Sequence, residues 1–77
     1  MKLYDGKLDE ELLITNVNIL GKEQKRLFDL GILPGNSIKK TLVSIFNDPC
    51  AYEIKNTVIA LRNIDAKNIE VENIYEQ

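Results

Sequence analysis

Residues 26–35 combine a helix stop with a tight turn, and they restrict the backbone more than any other part of this 77-residue chain. Gly31 suits the left-handed conformation that ends many helices and that is strained for a residue with a Cβ atom. Pro34 fixes φ and Gly35 tolerates a positive φ, so this pair suits the centre of a type II turn. Three apolar side chains give the stretch a surface to bury: Leu27, Leu30 and Leu33. The pattern predicts a helix that stops at Gly31 and a strand that begins just after Gly35.

The hydrophobic periodicity of the other residues predicts five short strands around this helix. The helix is predicted at residues 21–30, and the strands at residues 12–20, 36–46, 51–55, 57–62 and 69–74. The strand at 57–62 is apolar on both faces, which is typical of a central strand. We therefore predict a mainly β fold, a small SH3-like five-stranded barrel with one short α-helix inserted after the first strand, in a single domain covering residues 1–77.

Two further turns are predicted from residue type. Asn47, Asp48 and Pro49 together are a strong turn signal, and the Asp48 carboxylate is expected to bond nearby backbone groups. Asn56 is expected in a tight hairpin, because asparagine tolerates the left-handed region. We assign structural roles in turns to Gly31, Pro34, Gly35, Asp48, Pro49 and Asn56. Ahead of the first strand, Leu8 is the clearest candidate for burial, and residues 75–77 are expected to be a tail.

Charge and hydropathy argue against two classes of function. The net charge of −2 and the pI of about 5.0 are unlike those of a general nucleic-acid binder, which needs cations to neutralise phosphates. Lys39, Lys40 and the basic residues of the helix are expected to be solvated surface groups. The longest run without a charged residue, residues 12–21, has 10 residues, whereas a membrane-spanning helix needs about 20. We expect neither nucleic-acid binding nor membrane insertion.

The side chains needed for catalysis or for a metal site are also missing. The chain has no His, so it lacks the side chain that titrates most readily near neutral pH. Cys50 is the one cysteine, which excludes an internal disulfide, and it is expected to be a small residue at the start of a strand. The acidic residues at 9–11, 70 and 72 are expected to be solvated. We expect no enzymatic activity, no cofactor and no specific metal site, and the cytoplasm is the default location because no secretory signal is present.

Four segments, in this order and spacing, resemble the FeoA family, the small cytoplasmic proteins of the bacterial ferrous iron transport system. They are Arg26-Leu27-x-Asp29-Leu30-Gly31-Ile32-x-Pro34-Gly35, Asp48-Pro49, Ile59-Ala60-Leu61-Arg62 and Ala66-x-x-Ile69-x-Val71. The likeness departs from the family pattern in the segment before the first strand, where an expected Gly is missing. It also departs at Asn56-Thr57, where many members have Gly. A similar module forms the C-terminal domain of iron-dependent repressors of the diphtheria toxin repressor family.

The resemblance implies a binding module whose partner is the cytoplasmic, GTPase-bearing part of the membrane transporter FeoB. SH3-like barrels bind through loops and shallow apolar grooves, and the helix end offers a candidate docking surface: Arg26, Asp29, Leu30, Ile32 and Leu33. The alternative is that the three aliphatic residues belong to the core and that Arg26 and Asp29 form a weak surface pair.

Two other interpretations of the chain stay open. The first is the SH3-like regulatory domain of an iron-dependent repressor. Such a domain follows a DNA-binding helical region, which this sequence does not encode, and a chain that starts at Met1 and ends just past its last strand is expected to be complete. The second, a metal-handling or catalytic protein, has the least support from the residues. The sequence does not give the oligomeric state.

Overall fold

The computed structural model describes residues 1–74, and within them it contains five strands, two α-helices and one turn of 3₁₀ helix. In chain order these are the 3₁₀ turn (Leu3–Asp5), β1 (Glu11–Val17), α1 (Gly21–Asp29), β2 (Ser37–Val43), β3 (Cys50–Ile54), β4 (Thr57–Leu61), α2 (Asn63–Ala66) and β5 (Ile69–Asn73). The tail expected at residues 75–77 lies outside the described residues.

All five strands join one antiparallel sheet in the order β4-β3-β2-β1-β5. The pairing register shifts between Ile14 and Asn16 in β1 and between Lys40 and Leu42 in β2. Such irregularities bend a strand and increase its twist. The mainly β fold with one short helix after the first strand is confirmed, and the sheet stays open, with β4 and β5 as its two edges.

The core lies on the concave side that the strands, α1 and the 3₁₀ turn enclose. Buried and half-buried positions alternate along β3 and at the start of β5, as expected for strands that turn one face to the core. The largest fully buried side chains are Leu3, Leu12, Ile14, Leu27, Ile32, Ile38, Tyr52, Ile54, Leu61, Ile69 and Val71. Branched aliphatic residues therefore supply nearly all of this core.

Three predictions from the sequence are wrong in detail. The strand at 57–62 is an edge strand and not a central one: Leu61 faces the core, whereas Val58 and Ala60 face solvent. Before β1, the buried residue is Leu3, and Leu8 is exposed. Strand β2 ends at Val43, so the apolar residues at 45 and 46 lie exposed in the following loop.

Candidate functional site

The end of helix α1 is a Schellman motif, a helix stop with two characteristic hydrogen bonds. Leu30 follows the last helical residue, and Gly31 has φ +97°. The Gly31 N–H donates to the Phe28 carbonyl at 2.9 Å, and the Ile32 N–H donates to the Leu27 carbonyl at 2.9 Å. These bonds satisfy two of the carbonyls that every helix end leaves without a partner in the helix. The backbone of the predicted site is thus fixed where the helix stops.

Burial divides the aliphatic residues that were predicted to form the docking surface. Ile32 is fully buried together with Leu27, the apolar contact that commonly accompanies a Schellman motif. The expectation that Ile32 lies near the surface is wrong, because its position after the helix stop directs it into the core. Leu33 is half-buried. Leu30 is 37% exposed and is the apolar residue of this group that is most available to a partner.

The Pro-Gly turn after the helix is hydrogen-bonded to strand β1. Within the turn, the Asn36 N–H donates to the Leu33 carbonyl at 3.2 Å, and Gly35 has φ +99°. The Gly35 N–H donates to the Ile14 carbonyl at 2.9 Å, and the Ile14 N–H donates to the Asn36 carbonyl at 2.9 Å. A turn with a positive φ after Pro34 is a type II turn. Because the neighbouring strand holds both sides of it, the turn forms a fixed edge of the site.

One side chain that the sequence did not single out ties the helix end to this turn. The Asn36 amide nitrogen Nδ2 donates to the Gly31 carbonyl at 2.7 Å. This carbonyl belongs to the residue that stops the helix, so Asn36 closes the loop between the stop and the turn. An asparagine directly after a Pro-Gly turn was the available signal, since its amide readily bonds nearby backbone groups.

The charged residues beside Leu30 are exposed, and Arg26 forms its ion pair inside the helix. Arg26 pairs with Glu23, one turn earlier in the helix, with Nε at 3.1 Å from the Glu23 Oε1. The pairing of Arg26 with Asp29, which belonged to the alternative interpretation, is not the one that the structure contains. The hydrogen bond from Arg26 lowers the pKa of the Glu23 carboxyl, but an exposed pair contributes little to stability. We call Arg26, Asp29, Leu30 and Leu33 the helix-end surface.

The second predicted turn, around Asp48 and Pro49, is tied to helix α2. The Asp48 Oδ1 accepts the N–H of Asn63, the first residue of α2, at 3.0 Å. The Asn63 amide nitrogen donates to the Asn47 carbonyl at 2.6 Å. Cys50 is buried at the start of β3, and its Sγ lies 3.5 Å from the same Asn47 carbonyl. The loop before β3 is therefore hydrogen-bonded to the start of α2.

The predicted hairpin residue, Asn56, lies in the two-residue turn between β3 and β4. Lys55 has φ +47° and Asn56 has φ +65°. Two consecutive positive φ angles define a type I′ turn, the turn that best matches the twist of a two-stranded ribbon. This geometry sets the pairing of β4 against β3.

The structure changes one expectation about charge. Lys40 was expected to be solvated, but it is only 8% exposed, and its Nζ donates to the Tyr4 carbonyl at 3.1 Å.

Among residues 1–74 no group of three or more His, Cys, Asp and Glu side chains is placed to hold a metal ion. Within the same residues no helix is long and apolar enough to cross a membrane.

Comparisons with known sequences agree on one family. The sequence model of the FeoA domain matches residues 1–73 of the chain. A putative Fe(2+) transport protein A from Campylobacter jejuni is 30% identical over 71 residues, which is 92% of this chain and 96% of the relative. A Fe(2+) transport protein A/Fe(2+) transporter FeoB fusion protein from Porphyromonas gingivalis is 31% identical over 74 residues. That match covers 96% of this chain and only 9% of the fusion protein.

Solved structures share the fold. The solution structure of iron(II) transport protein A from Clostridium thermocellum matches with a TM-score of 0.92 and 31% identity, over 97% of this chain and 46% of that one. FeoA from Stenotrophomonas maltophilia, described as an SH3 domain protein, matches with a TM-score of 0.79 and 24% identity, over 94% and 89% of the chains. The manganese-activated repressor ScaR matches with a TM-score of 0.82 and 22% identity, over 96% of this chain and 35% of the repressor. The last two show the fold alone.

Proposed function

This chain belongs to the FeoA family, and we propose that it is an accessory protein of ferrous iron uptake that docks on the cytoplasmic part of a FeoB-type transporter. It acts in the cytoplasm as one domain of residues 1–77 and catalyses no reaction of its own. It modulates uptake by binding one conformation of the transporter more tightly than the others, since a bound protein shifts an equilibrium only by its difference in affinity.

The observation that carries this proposal is the relative from Porphyromonas gingivalis, whose name joins Fe(2+) transport protein A and the transporter FeoB in a single fusion protein. Joining two modules in one chain raises their effective concentration and favours contacts that are weak between separate molecules. Contact between the two modules needs a docking surface on the FeoA module.

The helix-end surface has the properties that such a docking surface requires. Leu30 offers an exposed apolar contact, Arg26 lies beside it one helical turn earlier, and Asp29 directly precedes it in the chain. The backbone below is held by the bonds of Gly31 and Ile32 to the helix and by the bond from Asn36 to Gly31. A surface that is ordered before binding loses less conformational entropy when the partner arrives.

The test is a calorimetric titration of the cytoplasmic domain of a FeoB-type transporter with this chain, in the presence of GDP and then of a GTP analogue. Leu30→Lys is expected to weaken binding by about tenfold or more. Phe28→Lys is the matched control, because Phe28 and Leu30 are both 37% exposed and lie about 200° apart around the helix. Phe28→Lys should leave the affinity unchanged.

Two results would contradict the proposal at different levels. If the unmodified chain fails to bind in either nucleotide state, the transporter is not its partner. If Leu30→Lys and Phe28→Lys bind as tightly as the unmodified chain, docking uses a surface other than the helix-end surface. Thermal unfolding of both variants excludes a loss of folding as the cause of any weakened binding.

A further inference from the structure

The far side of strand β4 has no neighbouring strand among residues 1–74. Strand β4 is the last in the sheet order, and β3 is its one partner. The only backbone hydrogen bonds around it in the described part of the chain are those of the ladder with β3 and those that begin α2 at Arg62. The strand therefore presents an open row of backbone groups to solvent, which is a template for pairing with another strand.

The type I′ turn determines which backbone groups form this open row. Opposite each other in the hairpin are Ile54 and Thr57, Tyr52 and Ile59, and Cys50 and Leu61. In a two-residue hairpin the pair that flanks the turn exchanges both hydrogen bonds, and bonded pairs then alternate along the ladder. The N–H and C=O groups of Val58 and Ala60 therefore point away from β3, toward the open side.

The side chains of β4 are also those of a strand that has neighbours on both sides. Thr57–Leu61 contains no charged residue, no Gly and no Pro. Edge strands of monomeric proteins usually carry a charge, a Pro or a bulge that prevents pairing. Val58 is 61% exposed, and Ala60 is exposed as well. The absence of any protecting residue at an uncovered edge is the unusual feature of this strand.

The outer face of the sheet continues this apolar surface away from the edge. Ala60 lies opposite Ala51 on β3, and Ala51 lies opposite Leu42 on β2. Leu42 is exposed, and Ala51 is half-buried. Together with Val58, these residues form a small apolar patch that reaches the open edge.

We infer that β4 pairs antiparallel with β4 of a second copy of this chain, about a two-fold axis that passes next to Ile59. In this register Val58 of each copy lies opposite Ala60 of the other. These are the residues whose backbone groups point toward the open side, so the two copies exchange four backbone hydrogen bonds. A register shifted by one residue would place these groups opposite backbone groups that already bond β3.

The charges at the ends of β4 are compatible with this pairing. In the same register Lys55 lies opposite Asn63, and Arg62 lies opposite Asn56, so no two cations face each other. Arg62 already pairs with Asp65, with Nε at 3.3 Å from the Asp65 Oδ2. The strand is thus self-complementary in hydrogen bonding, in size and in charge. This self-complementarity favours a second copy of the chain over a strand from another protein.

The dimer should be weak, because two five-residue strands bury less than the roughly 1,000 Å² that stable interfaces require.

The test is sedimentation equilibrium of the full chain up to about 1 mM, a range suited to transient complexes. Val58→Lys is expected to raise the dimer dissociation constant by about tenfold or more, since charged residues block edge pairing. Ile64→Lys is the matched control: Ile64 is 63% exposed against 61% for Val58, and it lies on α2. It should leave self-association unchanged.

A mixing experiment tests the register. Ala60→Glu alone should also weaken self-association, but a mixture of the Val58→Lys and Ala60→Glu chains should associate more tightly than either variant alone. In the proposed register the new cation of one copy lies opposite the new anion of the other.

The inference is overturned if the unmodified chain stays monomeric across the whole range, which would leave the edge to a different protein. It is also overturned if Ile64→Lys weakens association as much as Val58→Lys does, or if the mixture associates no better than its components. These outcomes are measured on this chain alone, without the transporter, so they hold or fail independently of the docking proposal.

Discussion

The two edges of the sheet are protected in opposite ways. Beside β5, the N-terminal residues run alongside the strand: the Val71 N–H donates to the Met1 carbonyl at 2.8 Å, and Lys2 forms an antiparallel bridge with Glu70. Strand β5 also carries two carboxylates, Glu70 and Glu72. Beside β4, the described residues provide neither a covering segment nor a charge within the strand. One edge is thus closed by the chain itself, and the other is left open.

This difference suggests different roles for the two edge strands: β5 serves the fold, and β4 is available for association. A protein that needed both edges closed could place charges on either strand at little cost, since exposed positions tolerate substitution. Here the covered edge carries the charges, and the uncovered edge carries only Thr, Val, Ile, Ala and Leu. This contrast is expected of a chain that uses one edge of its sheet to pair with another molecule. Substitutions that disturb one edge at a time test this contrast.

The largest effect should come from removing the anchor of the covered edge. Leu3 is fully buried, and it holds the N-terminal residues against the core beside β5. Leu3→Ala is expected to lower the free energy of unfolding by about 2–5 kcal/mol, because it leaves a cavity in the core. It should also increase the hydrogen exchange rate of the Val71 amide, whose acceptor is the Met1 carbonyl.

Leu8→Ala is the control for this change, because Leu8 is exposed. It should alter the free energy of unfolding by less than about 0.5 kcal/mol in chemical denaturation. Equal effects of Leu3→Ala and Leu8→Ala would show that the N-terminal segment is not anchored as described.

A smaller effect is expected at the hairpin that holds the open edge. Asn56 has φ +65°, a conformation that costs a residue such as alanine about 1–2 kcal/mol. Asn56→Ala should therefore lower the free energy of unfolding by about 1 kcal/mol, whereas Asn56→Gly should leave it unchanged or raise it slightly. Thermal unfolding of the two variants checks the difference. If Asn56→Ala proved as stable as Asn56→Gly, the type I′ turn would not hold β4 in solution.

The smallest effect is a pH dependence at the covered edge. Hydrogen bonds from the Asn18 and Asn16 side chains lower the pKa of the Glu70 carboxyl below its usual 4.5. Because the folded pKa lies below the unfolded one, the stabilisation is complete above the unfolded pKa and is lost as the pH falls through the folded pKa. Glu70→Gln should therefore lower stability slightly at neutral pH, where the ionised Glu70 contributes, and flatten the loss of stability at acid pH.

Nuclear magnetic resonance provides the direct measurement for this group. Asn18→Ala should move the Glu70 pKa back toward 4.5, because it removes the donor at 3.1 Å from Oε2. Denaturation curves of the unmodified chain and of Glu70→Gln that superimpose throughout the acid range would contradict this role of Glu70.

The parts of the fold that the sequence predicted are those set by residues close together in the chain. Gly31, Gly35 and Asn56 all have positive φ angles, and each belongs to a residue type that tolerates such angles. The order of strands is not set locally. Apolar residues on both faces of β4 indicated a central strand, but β4 lies at the sheet edge, and its Val58 and Ala60 side chains are in solvent because nothing among the described residues packs on that face of the sheet.

The candidate site follows the same rule. Ile32 was predicted to be accessible, yet an apolar residue directly after a glycine helix stop commonly packs back on the last turn, and Ile32 does so. That signal was available in the sequence. The bond from Asn36 to Gly31 and the pairing of Arg26 with Glu23 depend on side-chain conformations that several neighbours could satisfy. Residue spacing alone does not choose among those neighbours.

Amide hydrogen exchange of the full chain, in dilute and in concentrated solution, compares the two edges most directly. We predict that the Val71 amide is protected at both concentrations, because it donates to Met1 within the same chain. The amides of Val58 and Ala60 should exchange almost freely in dilute solution and become protected in concentrated solution, when a second β4 supplies their acceptors. Exchange at Val58 and Ala60 that does not change with concentration would contradict the open edge as the site of self-association.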